Sequence, residues 1–147
     1  MRRWGLIGCR IVLGALFVWA AATKLPDMSA FAQDLANYRI LPGVLVPWAA
    51  TAVVGIEMAA GLCLITGFEA RAGAVVIAAL LVAFIAFLAQ ALLRGIDLRC
   101  GCFGGDEPAS WWTVARDGAM LAAALLVVWK PEVRQSAARQ PAPRAAP

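Results

Sequence analysis

The sequence predicts an all-α membrane protein: a four-transmembrane-helix bundle with a short interfacial helix in its first outer loop. Three observations carry that expectation. The chain of 147 residues is 63% apolar and only 15% charged, with a mean hydropathy of +0.78, whereas soluble domains are nearer half apolar and a quarter charged. Four apolar runs approach the roughly 20 residues that a helix needs to cross hydrocarbon. None of the runs alternates with period two, which argues against a closed β-barrel, the other way to satisfy backbone groups in lipid.

The first run, 4–22, is interrupted only by Arg10. Arg2 and Arg3 before it, and Ala20-Ala21-Ala22 at its end, have the outline of a signal peptide. The stretch is long for a signal core and Arg10 breaks it, so it reads as a retained helix. The second run, 46–66, holds Glu57 at its middle. The third, 72–93, has Gln90 as its one strongly polar residue. The tiny loop from Gly67 to Arg71 makes these two helices antiparallel neighbours. The fourth run, 111–129, carries Arg116 and Asp117 in its outer part, with Ser110 placed as its N-cap. Trp111 and Trp112 mark one membrane interface and Trp129 the other. Gly55, Ala59, Gly118 and Ala122 are expected to let helices approach closely.

Between the first two runs, Phe31, Leu35 and Tyr38 recur at helical spacing. Ser29–Arg39 therefore reads as a short helix on the membrane surface, ended by Leu41-Pro42-Gly43. Residues 1–130 make one membrane domain. Residues 131–147 are mostly Ala, Pro, Arg and Gln without periodicity, and read as a disordered cytoplasmic tail.

The net charge of +4 does not point to nucleic acid, because the basic residues lie mainly at helix ends. There they set orientation. Arg2, Arg3, Arg71, Lys130, Arg134, Arg139 and Arg144 fall on one side, and Lys24, Arg39, Arg94 and Arg99 on the other. That bias puts both termini in the cytoplasm and the loop between helices three and four outside, in a compartment that permits disulfides. The expected location is a bacterial inner membrane, with lipid as the first partner.

The outer loop holds Cys100-Gly101-Cys102. The chain has no histidine, which excludes a Ser-His-Asp triad, a histidine-ligated haem and histidine metal sites. Thiol chemistry is the principal reactivity left. A disulfide between Cys100 and Cys102 closes a very small ring, so tight geometry is expected. Strained, exposed disulfides are the labile or catalytic ones. Arg94 and Arg99 favour the nucleophilic thiolate, while Asp97, Asp106 and Glu107 oppose it. A loop so short gains little entropy from a crosslink, which argues against a purely structural bridge. Two thiolates also suit Cu(I), whereas zinc needs further ligands. Cys9 and Cys63 lie toward the cytoplasmic half and read as small hydrophobes, with an inner thiol pair as the minor alternative.

Glu57 is costly at mid-membrane and calls for a partner. Arg10 is the obvious one. Two readings stand side by side: a structural ion pair fixing helix register, or a proton or quinone site. Arg116 and Asp117 are adjacent and point about 100° apart, so they are not expected to pair. Lys24 and Arg39 are the candidates for Asp117. With Tyr38 they form an outer cover, and with Gln90 a polar cup beneath the cysteines.

Lys24-Leu25, Tyr38-Arg39-Ile40-Leu41-Pro42, Glu57, Arg94-Gly95, Cys100-Gly101-Cys102-Phe103-Gly104 and Arg116-Asp117 together resemble the MauE/DoxX-like family of small four-helix membrane proteins, from about Arg10 to Trp129. The Cys-Gly-Cys-Phe-Gly element is the most specific of these. The resemblance implies a redox-associated inner-membrane protein linked to methylamine utilisation. Such a protein assists maturation of the small methylamine dehydrogenase subunit beside a thioredoxin-like partner.

The expected activity is thiol-disulfide exchange by Cys100 and Cys102 with a thioredoxin-like periplasmic protein or a disulfide-rich client. Glu57 and Arg10 are then a polar heart near a quinone headgroup. The alternatives are a non-enzymatic assembly or export factor with a structural Cys-Gly-Cys loop, and a Cu(I)-binding membrane protein.

Overall fold

The computed structural model describes residues 2–95 and 110–129. The Cys100–Cys102 loop, including Asp97, Arg99, Asp106 and Glu107, lies outside the described residues, as do Lys130 and the tail 131–147.

Among the described residues, five α-helices follow in order: α1 (Arg2–Lys24), α2 (Met28–Asn37), α3 (Val46–Thr66), α4 (Ala70–Leu93) and α5 (Trp111–Trp129). Among the described residues there is no strand. The four long helices are long and apolar enough to cross a membrane. Even α5, with 19 residues, spans about 29 Å at helical rise. The helices form a ring in chain order: α1 packs on α3, α3 on α4, α4 on α5, and α5 closes back on α1. Each crossing reverses the direction of the last, so successive members of the ring are antiparallel. The end holding Lys24, the start of α3, the end of α4 and the start of α5 is called here the Lys24 end. The opposite end is the Arg10 end.

Two helix limits differ from the apolar runs. α1 continues through Lys24, and α4 begins at Ala70 so that it includes Arg71. A charged residue extends a helix readily when the turn before it is already formed. Lys24 is thus a helix residue with a helix residue's direction, which matters below.

The join between α3 and α4 depends on left-handed backbone. Gly67 has φ +76° and its N–H donates to the Cys63 carbonyl, ending α3. Glu69 follows at φ +48° and leads into α4. At the start of α5 the Ser110 carbonyl accepts from Thr113 and Val114 N–H, so Ser110 holds the capping position. Its hydroxyl lies 3.3 Å from the Thr113 hydroxyl.

The core draws on all four long helices. Leu13 and Phe17 from α1 meet Leu64 from α3, Ile77 and Leu81 from α4, and Ala124 from α5. Small residues set the spacing, but not those expected. A Cβ added at Gly14 would lie 2.7 Å from the Gly61 carbonyl oxygen, and one at Gly61 would lie 2.9 Å from that of Gly14. A Cβ at Gly73 would meet the Ala60 carbonyl at 3.0 Å. By contrast Gly55 and Gly118 have nothing within 4 Å, and Ala59 and Ala122 are exposed. The four small residues singled out from the sequence face outward. Gly14, Gly61 and Gly73 make the close contacts that hold helices together where lipid offers no hydrophobic drive.

The short helix forms over Met28–Asn37, behind a 3₁₀ turn at Leu25–Asp27. Asp27 caps it, accepting from the Ala30 N–H at 2.9 Å. Phe31 is buried with Ala21, Ala50 and Val54, and Leu35 packs beside them. Tyr38 is buried against Ala91 and Phe87. The apolar stripe of α2 therefore faces α3 and the Lys24 end of the bundle. The helix stops at Asn37, before Leu41-Pro42-Gly43, because Arg39 takes a left-handed φ of +53°.

Five of the six tryptophans lie at two levels. Trp4 and Trp129 are exposed at the Arg10 end, and Trp48, Trp111 and Trp112 at the Lys24 end. Amphipathic indoles at both ends of apolar helices mark membrane–water interfaces.

Candidate functional site

The polar heart of the bundle is Lys24 with Glu57. Lys24 Nζ donates to Glu57 Oε1 at 2.9 Å and to Oε2 at 2.7 Å. Both residues are buried, at 3% and 6% exposure. The ammonium also sits 5.0 Å from the centre of the Phe31 ring, so α2 roofs the pair with an aromatic face.

This corrects the expectation that Arg10 pairs with Glu57. Side chains on a helix tilt toward its N-terminus. On α1 that direction leads from Lys24 down into the bundle. On antiparallel α3 it leads from Glu57 up toward the Lys24 end. The two side chains converge. Arg10, on the same helix as Lys24, tilts the same way, toward the Arg10 end and so away from Glu57, and its guanidinium lies against Gly67: Nη1 and Nη2 would come within 3.1 Å of a Cβ placed there. Register gives the same answer. Gly14 meets Gly61, so Arg10 and Glu57 lie four residues to either side of that contact, about 12 Å apart along the axis. Arg10 instead sets a cation at the negative end of the α3 dipole.

The second correction concerns Arg116 and Asp117, which do pair. Arg116 Nε donates to Asp117 Oδ1 at 3.3 Å, and Nη2 does so at 3.4 Å. The arginine stem is long enough to fold back across the 100° between neighbours, and both contacts are correspondingly long. Asp117 is 2% exposed. Its other oxygen, Oδ2, has no hydrogen-bond partner among the described residues. Lys24, one of its expected partners, is engaged by Glu57, and Arg39, the other, is exposed at the end of α2. Of the expected outer cover, Lys24 is part of the heart itself. Tyr38 is buried, its ring meeting Phe84 edge-on with centroids 6.3 Å apart.

Lys24, Glu57 and Asp117 line one cavity of about 40 Å³, walled by Phe17, Ala20, Leu80, Leu81, Phe84 and Met120. Gln90 is not among its lining residues. The chamber has room for water, since one molecule needs only about 10–15 Å³.

Cys9 and Cys63 are half-buried free thiols. The segment bearing Cys100 and Cys102 joins Gly95 to Ser110, two described residues at the Lys24 end. Sequence reasoning gave Glu57 and Asp117 as buried polar residues, but it missed Lys24 as the counter-ion. The available signal was the opposed tilt of side chains on antiparallel helices.

Comparison with known proteins fits this architecture. Residues 2–130 match the family described as methylamine utilisation protein MauE. The chain is 38% identical over 127 residues to the methylamine utilization protein MauE of Paracoccus denitrificans, covering 84% of this chain and 67% of that protein. It is 36% identical over 125 residues to the protein of the same name from Paracoccus versutus, covering 83% and 66%. The chain thus spans about two thirds of the length of these curated relatives. No solved structure matches it. With the family match running the length of the bundle, and relatives more than a third identical along it, this four-helix membrane chain belongs to the MauE family.

Proposed function

We propose that the chain serves methylamine utilisation as an integral membrane thiol-disulfide redox protein. It acts with a thioredoxin-like partner in maturing a periplasmic client, the small subunit of methylamine dehydrogenase. The supporting observation is the Cys100-Gly101-Cys102 sequence between α4 and α5, in a chain without histidine whose relatives bear the name methylamine utilization protein.

The exchange uses one cysteine as the thiolate that attacks a disulfide sulfur of the partner. A mixed disulfide forms and the partner's other sulfur leaves as a thiol. The second cysteine then resolves the mixed disulfide. Two electrons pass from this chain's dithiol to the partner's disulfide, and the reverse sequence oxidises the partner. A single exchange needs no other oxidant. In this reading both termini are cytoplasmic, the membrane is the inner one, and the Lys24 end faces the periplasm. The Lys24–Glu57 pair and Asp117 form a polar floor toward the bundle end at which α4 stops and α5 starts, and α2 lies at the membrane surface.

The test is genetic and chemical together. In a methylamine-grown bacterium lacking its own copy, Cys100→Ser combined with Cys102→Ser is expected to abolish accumulation of disulfide-complete small subunit. Cys102→Ser alone is expected to trap a partner as a mixed disulfide, seen on non-reducing gels. Full maturation of the subunit by the double variant would falsify the redox role, leaving an assembly factor with a structural loop.

A further inference from the structure

The cavity at the centre of the bundle contains a polar imbalance that the thiol chemistry does not use. Lys24 gives two hydrogen bonds to Glu57, so each oxygen of that carboxylate has a donor. Asp117 has Arg116 at 3.3 Å on Oδ1 only. Arg116 is itself 30% exposed at the side chain, against 4% for Asp117. Oδ2 of Asp117 is buried without a protein donor among the described residues. Leaving a buried polar atom unmatched costs about 1–3 kcal/mol, and more when the group is charged. Two remedies exist: a proton on that oxygen, or a water donating to it.

The surroundings admit both. The chamber of about 40 Å³ has room for water, which also needs two to four polar partners. Lys24 has a third N–H beyond the two given to Glu57. Glu57 and Asp117 add acceptors to the same chamber. Among the described residues, the charged groups facing Asp117 are Lys24 from α1, Glu57 from α3 and Arg116 from its own helix. The lining of α4 is Leu80, Leu81 and Phe84, with nothing titratable. Two cations and two carboxylates balance, so one added proton changes the net charge of the cluster. An ionisable residue at membrane depth, beside a cavity that admits water, is the arrangement found in proton relays.

We infer that this cavity is a hydrated proton-binding site, in which Asp117 Oδ2 accepts and returns a proton through water held by the Lys24–Glu57 pair. The step moves one proton and no electrons: a carboxylate and a protonated water give a carboxyl O–H and a neutral water. Asp117 is the proton carrier, and Lys24 and Glu57 position the water. This inference rests on the bundle alone and stands or falls separately from the thiol exchange.

The test is infrared difference spectroscopy on the purified full-length protein in lipid nanodiscs, stepped from alkaline to acidic pH. The expected result is a protonated-carboxyl C=O band that appears on acidification and shifts in D₂O. It should disappear in Asp117→Asn and persist in Glu69→Gln, a change at an exposed carboxylate outside the cavity lining. Should Asp117→Asn fail to fold, wild-type protein labelled with carbon-13 at the aspartate side-chain carboxyl replaces it. The band must then move with the label. A band that survives Asp117→Asn, ignores the aspartate label or fails to exchange with D₂O overturns the inference. So does the absence of any titrating buried carboxyl.

Discussion

Lys24 and Glu57 each lose their hydration on burial, and each is tolerable only because the other is there. Breaking such a pair from one side leaves an uncompensated charge, whereas replacing both with matched apolar groups does not. Lys24→Met is therefore expected to destabilise the folded bundle by about 3 kcal/mol. The double change Lys24→Met, Glu57→Leu should recover most of that loss. Thermal unfolding in detergent, arranged as a double-mutant cycle, measures the coupling. A double variant as unstable as the single one would mean that the pair is not the energetic unit the geometry implies. Arg10 belongs to a different contact, so Arg10→Met should add its own effect independently of Glu57.

At the level of elements, the helices are held by close backbone approach rather than by apolar stripes. α3 and α4 are apolar nearly all round, as expected where lipid replaces water on the outer face. Stripe reasoning cannot orient such helices. Steric contact can, and it separates glycines that look alike in sequence. Gly14→Ala pushes a methyl against the Gly61 carbonyl, 2.7 Å away. Overpacking of this kind should cost about 1–3 kcal/mol. Gly118→Ala enters open space and should stabilise α5 by roughly 0.5–1 kcal/mol, since alanine keeps less backbone entropy in the unfolded chain. Unfolding midpoints of the two variants, moving in opposite directions, check the assignment. α2 behaves differently. Its stripe of Phe31, Leu35 and Tyr38 meets a real core, and so it was legible in advance.

For the whole molecule, the ring of four antiparallel helices brings the end of α4 and the start of α5 to the end that holds Lys24, Glu57 and Asp117. The Cys100–Cys102 segment is tethered there at both sides. In the proposed orientation, a membrane-impermeant maleimide added outside intact spheroplasts should label Cys100 and Cys102 after reduction. Cys9 and Cys63 should stay unlabelled until the protein is denatured from the inside. Labelling of the pair only in inverted vesicles would reverse the orientation and remove a periplasmic client from reach.

The amino-acid sequence by itself determined that four helices cross the membrane, that a short helix follows the first, and that Glu57 and Asp117 are buried polar groups. Each of these follows from composition and period along one chain, and burial of a carboxylate in an apolar run is visible without partners. It also carried the Cys-Gly-Cys-Phe-Gly pattern that led to the family. The tertiary structure decided who meets whom. Lys24 reaches Glu57 and Arg10 does not, because antiparallel helices tilt their side chains toward opposite ends and the Gly14–Gly61 contact fixes their register. Arg116 reaches its own neighbour because a long side chain can cross a helix face that a spacing rule treats as closed. Such pairings depend on axial offset and side-chain direction between segments, and a pattern read along one segment contains neither.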